Sequence, residues 1–336
     1  MTKEYHTNHN SMPQHLLAFM DEEADRLRTL NHLGLADNYN CAKRSFQRYL
    51  LTRGACDIAL NQVSAPLMSG YQEWLLSGQL GKNTTSFYMR NLQAAYNKAV
   101  RRGLVAAPSY PESPFSDVYT GVAETRKRAV PSAIIAALSH LDIKTAMVAA
   151  GQNPEHKAFP RILHKLSFAR DTFIFCFCAR GLPFIDFSYL RKECLKDGFI
   201  CYDRHKTGQH IEVEIIPMMQ AIINRYANPT PYVFPILTTT NEKEAYHQYR
   251  SAIRKYNRLL AVLSQMLGHN VKLTTYVARH SWATAAYHGN IPVAYISEAM
   301  GHNNESTTRK YLKSLGENRL NQANKKLLRT IFSNAL

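Results

Sequence analysis

Pro108, Pro111 and Pro114 lie so close together that no helix can run through them, and they split the chain in two. Each proline removes an amide donor and clashes with the preceding turn, and the residue before it is driven toward extended backbone. We therefore expect a first domain over residues 1–104, a linker over 105–128 and a second domain over 129–336. The linker ends in Arg126-Lys127-Arg128, which suits either a solvated tether or a strand lying along a polyanion.

On both sides of the break, apolar residues recur at helical spacing. Leu16, Leu17, Phe19, Met20 and Leu27 mark a first helix. The pattern continues from Cys41 to Leu51, with Lys43, Arg44 and Arg48 on the polar side. Asn83-Thr84-Thr85 offers N-cap chemistry for a helix that ends at Arg101-Arg102-Gly103. Its exposed positions include Arg90, Lys98, Arg101 and Arg102. One basic face is ordinarily just a solvated face, but several in one small domain suit tracking of phosphates.

The second domain reads as helices with one β insertion. Phe199–Tyr202 and Ile211–Ile216 look like two strands joined by the turn Lys206-Thr207-Gly208-Gln209. Helices follow near 217–227, 243–267, 275–288, 292–300 and 306–315. A last one, about 317–332, carries Leu320, Leu327, Leu328, Ile331 and Phe332 as an apolar stripe. The expected fold class is mainly α with a small antiparallel β insertion.

The formal net charge of +16 points to a polyanionic partner, nucleic acid before anionic membrane. No apolar run is long enough to span a bilayer, and the N-terminus has no apolar signal core. The cysteines Cys41, Cys56, Cys176, Cys178, Cys194 and Cys201 show no zinc-ligand rhythm, and Cys176 and Cys178 read as core. Free thiols fit a reducing cytoplasm, and a nucleic-acid partner would make the protein nucleoid-associated.

The sharpest chemical signal lies near the C-terminus. Thr275-Tyr276-Val277-Ala278-Arg279-His280-Ser281-Trp282 is followed by Gly301-His302 and then by Tyr311. Arginine and histidine neutralise a phosphate and donate to it, and a tyrosine hydroxyl can attack one. The set suggests a DNA-breaking enzyme that uses no metal and no other cofactor. From these residues the C-terminal half resembles the catalytic domain of the tyrosine recombinase (phage integrase) family. The N-terminal half resembles that family's helical core-DNA-binding domain, and the likeness runs from about residue 13 to 320.

The resemblance implies roles. Tyr311 would be the nucleophile that forms a 3′-phosphotyrosine, its phenol activated by nearby cations or a base. Arg279 would clamp the non-bridging oxygens of the scissile phosphate, and His302 would donate to the same phosphate. Lys206, in Arg204-His205-Lys206-Thr207-Gly208, would protonate the departing 5′-hydroxyl. Arg180 is the candidate for the family's first arginine, but the pattern departs here. If Asp186 takes the place of the usual glutamate, Pro183 falls where arginine belongs. Tyr276 stands where the family commonly has histidine; we expect it to line the site. The base for Tyr311 stays open between His302, His280, His205 and none. Trp282 is expected in the core.

The family implies double-stranded DNA as partner, no membrane, and a homo-tetramer on two DNA sites, docked through the 317–332 helix. The reaction would be site-specific recombination in integration, excision or inversion by a mobile element. A relaxing topoisomerase with the same tyrosine and a non-catalytic DNA-binding regulator are the alternatives.

Overall fold

The computed structural model describes residues 14–108, 113–123, 128–268, 271–309 and 312. Tyr311 and the expected 317–332 helix lie outside the described residues. The chain falls into two compact units, one ending at Thr125 and the other beginning at Arg126.

Among its described residues the first unit holds four α-helices: α1 (Leu16–Thr29), α2 (Leu33–Thr52), α3 (Ala65–Ser77) and α4 (Lys82–Arg101). Leu16, Leu17, Phe19 and Met20 of α1 bury against Phe46, Tyr49 and Leu50 of α2 and Met89 and Leu92 of α4. No side chain at His15 caps α1; instead Asp57 accepts from the Leu17 and Ala18 amides at 2.9 and 3.2 Å. A carboxylate there satisfies amides that the helix cannot, and it meets the positive end of the helix dipole.

Two expectations change in this unit. Helix α4 starts at Lys82, ahead of the expected cap, with Gly81 as N-cap. Asn83 instead pairs with the Ala123 backbone, donating at 2.9 Å and accepting at 2.8 Å. Lys98 and Arg102 are not free basic positions, because both pair with Glu23, whose side chain has no exposed surface. Arg102 also bonds Glu22, whereas Arg90 and Arg101 are exposed. The stretch expected as a linker contributes to packing, since Phe115 and Val118 are buried in this unit's core.

The second unit is built around α7 (Phe159–Cys178), which is buried on nearly every side from Asp171 to Cys176. Around it stand α5 (Ser132–Ser139), α6 (Ile143–Ala149), α8 (Phe184–Tyr189), α9 (Pro217–Arg225), α10 (Glu242–Met266) and α11 (Thr275–His288). Helix α10 is capped by Asn241, which accepts from the Glu244 amide at 3.0 Å. Glu242 and Glu244 add negative charge where the dipole favours it. The short helices α12 (Val293–Ala299) and α13 (Glu305–Arg309) follow.

The β insertion is three-stranded, one strand more than expected. Strands β1 (Leu195–Lys196), β2 (Phe199–Asp203) and β3 (His210–Glu214) run antiparallel in the order β1-β2-β3. Ile200 pairs with Val213 and Tyr202 with Ile211, so alternate residues of β3 face the core while His210, Glu212 and Glu214 face water. Among the described residues no single helix is long and apolar enough to cross a membrane.

Candidate active site

Three turns and one helix of the second unit converge on Arg279. The first turn closes α7. Arg180 and Gly181 both adopt left-handed backbone, with φ of 55° and 73°, and the Leu182 amide returns to the Cys176 carbonyl at 2.9 Å. The turn is therefore irregular rather than helical, and Pro183 precedes α8 as its N-cap. Gly181 is required twice over: its φ favours glycine, and a Cβ would lie 2.9 Å from the Arg279 Cα.

The second turn joins β2 to β3. Arg204 opens it, with its amide on the Gln209 carbonyl at 2.8 Å, and the Gly208 amide returns to Arg204 O at 2.8 Å. Lys206 sits exposed at the tip. The third turn joins α12 to α13 through Met300, Gly301 and His302. Thr207 donates to the Gly301 carbonyl at 3.2 Å, which ties the hairpin tip to this turn.

Arg279 projects from α11 and is 3% exposed. Its Nη1 donates to the Gly181 carbonyl at 2.8 Å, and its Nη2 donates to the Met300 carbonyl at 2.6 Å. Nη2 also meets His302 Nε2 at 2.8 Å. An arginine has only donors, so His302 Nε2 accepts and its Nδ1–H donates to Thr308 Oγ1, 2.8 Å away. Burial first, then the charges of Arg279, Arg204 and Lys206, push the His302 pKa down to about 3. The imidazole is neutral at pH 7.

Arg204 is the residue that the motif reading passed over. It is 6% exposed, and its Nη1 donates to the same Met300 carbonyl that Arg279 uses. Its Nε lies 2.8 Å from Asp186 Oδ2, an ion pair without the alignment of a hydrogen bond. Asp186 Oδ1 accepts from the His205 amide at 2.9 Å. Burial lifts the Asp186 carboxyl above its usual range, against the pull of Arg204, the His205 amide and Arg279. Arg204 did stand in the quoted lysine-turn segment, two residues before Lys206. Nothing in that segment shows that its side chain turns inward.

The expected residues thus divide. Arg279 and His302 are in contact, and Lys206 is close enough for its charge to act on His302. Tyr276, about half exposed, lines a small cavity with Pro183, Thr275, Tyr249 and Arg279. Arg180 is half-buried in its left-handed turn, and among the described residues its side chain makes no hydrogen bond or ion pair. Trp282 is partly buried against the cluster of Ala283, Ala286, Ile296, Met300 and Leu312.

A family model described as the phage integrase SAM-like domain matches residues 15–118, and one described as the phage integrase family matches residues 194–317. No curated protein sequence matches the chain. Among solved structures, a lambda integrase dimer bound to a COC′ core site is similar at TM-score 0.59 and 11% identity, covering 90% of this chain and 96% of that one. The Tn1549 transposon integrase in complex with transposon right end DNA gives TM-score 0.55 and 14% identity, covering 93% and 99%. A lambda integrase tetramer bound to a Holliday junction gives 0.56 and 12%, covering 90% and 78%. At such identities the structures speak for the fold, which they share across both units. With both family models matched in order along a chain of that fold, the protein belongs to the phage integrase family of tyrosine recombinases.

Proposed function

We propose that this recombinase breaks and rejoins DNA through a covalent 3′-phosphotyrosine at Tyr311, in integration, excision or inversion of a mobile element. The phenolic oxygen attacks the scissile phosphorus, and the bond from phosphorus to the 5′-oxygen breaks. Lys206, on the exposed hairpin tip, gives its proton to that leaving oxygen. The phenol's proton passes to water or to a basic group at the site. Religation runs the same steps in reverse, so no external energy source enters.

The observation that carries this reading is the buried Arg279 guanidinium locked between two backbone carbonyls and His302. A pre-ordered cation in a site shielded from water stabilises the charge of a crowded phosphorus far better than a mobile one in solvent. Leu312, the residue after Tyr311, is buried in the cluster that contains Met300, which supports delivery of the tyrosine to this place. Tyr276 borders the cavity beside Arg279 and takes the lining role. Double-stranded DNA is the substrate, and we propose assembly as a tetramer on two DNA sites through the 317–332 helix.

The test uses the full chain with nicked duplexes cut from the DNA that flanks its gene. The wild type should leave a covalent protein–DNA adduct that survives denaturant. Tyr311→Phe should bind the same duplex with affinity within about threefold, because one hydroxyl is a small part of an interface dominated by phosphate contacts. It should form no adduct. An adduct of undiminished yield with Tyr311→Phe would defeat the proposal.

A further inference from the structure

The family likeness asks for two arginines on the phosphate, and if Asp186 takes the place of the usual glutamate, Pro183 falls where the first belongs. Resting on the phosphotyrosine reading above, we infer that Arg204, on the β2–β3 turn, supplies the missing guanidinium and holds a non-bridging oxygen of the scissile phosphate beside Arg279.

Position is the first argument. Arg204 Nη1 and Arg279 Nη2 donate to one oxygen, the Met300 carbonyl, so the two guanidinium groups are neighbours. Like charges this close repel, and the single Asp186 carboxylate offsets only one of them. A fold that only needed to pin the hairpin would not choose a second arginine on that carbonyl. An anion seated against both groups turns the repulsion into a joint attraction.

Pre-ordering is the second argument. Asp186 engages Arg204 through Nε, and the Met300 carbonyl engages Nη1. Among the described residues no acceptor meets Nη2. The side chain is thus fixed at its inner edge and keeps a donor in hand, as a phosphate clamp requires. The stem runs past Gly301, whose φ is +63°; a Cβ there would lie 2.9 Å from Arg204 Cγ. The absent side chain at 301 makes room for this arginine.

The third argument is contrast. Arg180, nearer the expected place in the sequence, sits half-buried in a left-handed turn and has no polar partner among the described residues. The charge of Arg204, unlike that of Arg180, is also among those that depress the His302 pKa. Its field therefore reaches the imidazole that borders the reacting phosphate.

The test separates a phosphate contact from a merely structural pair. The full chain is given nicked duplexes carrying its own crossover site, with either a normal scissile phosphate or a methylphosphonate, in which a neutral methyl replaces one charged oxygen. Arg204→Ala should slow adduct formation on the normal phosphate by about 10³-fold, the scale of a lost oxyanion donor. The methylphosphonate should recover at least about tenfold of that loss in the variant and give no gain in the wild type. Should Arg204→Ala fail to fold, Asp186→Asn with Arg204→Met removes both buried charges together, leaving no orphan. That double variant should show the same loss and the same recovery. The inference is overturned if Arg204→Ala cleaves at the wild-type rate, if the loss is not recovered by the methylphosphonate, or if the recovery appears with Arg180→Ala instead. A wild type that forms no adduct sinks the phosphotyrosine reading itself, a different result.

Discussion

Each unit of the molecule buries charge, and the two balance it differently. In the helical first unit the buried group is a carboxylate: Glu23 of α1 gathers Arg26, Lys98 and Arg102. Burial pushes the Glu23 carboxyl up, but Lys98, Arg102 and Arg26 outweigh it and hold the pKa below the usual range. In the second unit two buried guanidiniums, Arg204 and Arg279, share the Met300 carbonyl and face one buried carboxylate, Asp186. The first cluster is complete within the chain, with cations that keep part of their surface in water. The second leaves two guanidiniums with a single carboxylate, the imbalance on which the proposed phosphate contact rests. The lesson is that a buried ion cluster points to a ligand when its members share an acceptor too weak to balance them.

The comparison breaks most visibly at Arg279. Arg279→Ala should cut adduct formation about 10³-fold or more while leaving DNA affinity within a few-fold. Gel retardation beside a denaturing adduct assay reads both. Equal losses in the two assays would make the residue a structural support and erase the contrast.

Glu23→Ala should do the reverse. Removing this buried carboxylate takes the shared partner from three part-exposed cations, at a cost of about 2 kcal/mol in chemical denaturation. Cleavage per folded molecule should not change. A stability loss under about 0.5 kcal/mol would show that the cluster is only a surface pair.

Gly301→Ala should be milder, costing about 1–2 kcal/mol for left-handed backbone and about tenfold in cleavage as Arg204 is displaced. The smallest effect is in titration. His302 has its folded pKa depressed, so it stays neutral in the native state while the unfolded chain takes up a proton below about 6.5. Stability linked to this group is therefore complete above that pH and is lost as pH falls toward about 3. Imidazole NMR should show the His302 pKa rising in Arg204→Met, and an unchanged value would separate Arg204 from the site.

Much of this was legible in the sequence because the signals were local. The helices of both units follow apolar spacing, and α11 spans the expected residues 275–288. The hairpin follows alternation. Arg279, His302 and Lys206 stand in short motifs that announce themselves. What escaped depends on partners far along the chain. Lys98 looked like a free basic position because its partner Glu23 is 75 residues away. Arg204 was given no role because the groups that hold it, Asp186 and Met300, lie on other elements. β1 is two residues long, too short for any alternation to declare it.

The Met300 peptide oxygen serves as a common hinge pin for two side chains arriving from different directions, while its thioether is 1% exposed in a separate small core. The letter at position 300 and the geometry at position 300 are thus independent matters. Leucine in its place keeps the oxygen where it is. Inserting one residue anywhere from 299 to 302 slides the oxygen by about 3.8 Å, beyond the tolerance of either grip. Drift should accordingly exchange apolar side chains at position 300 while the length of this corner stays fixed.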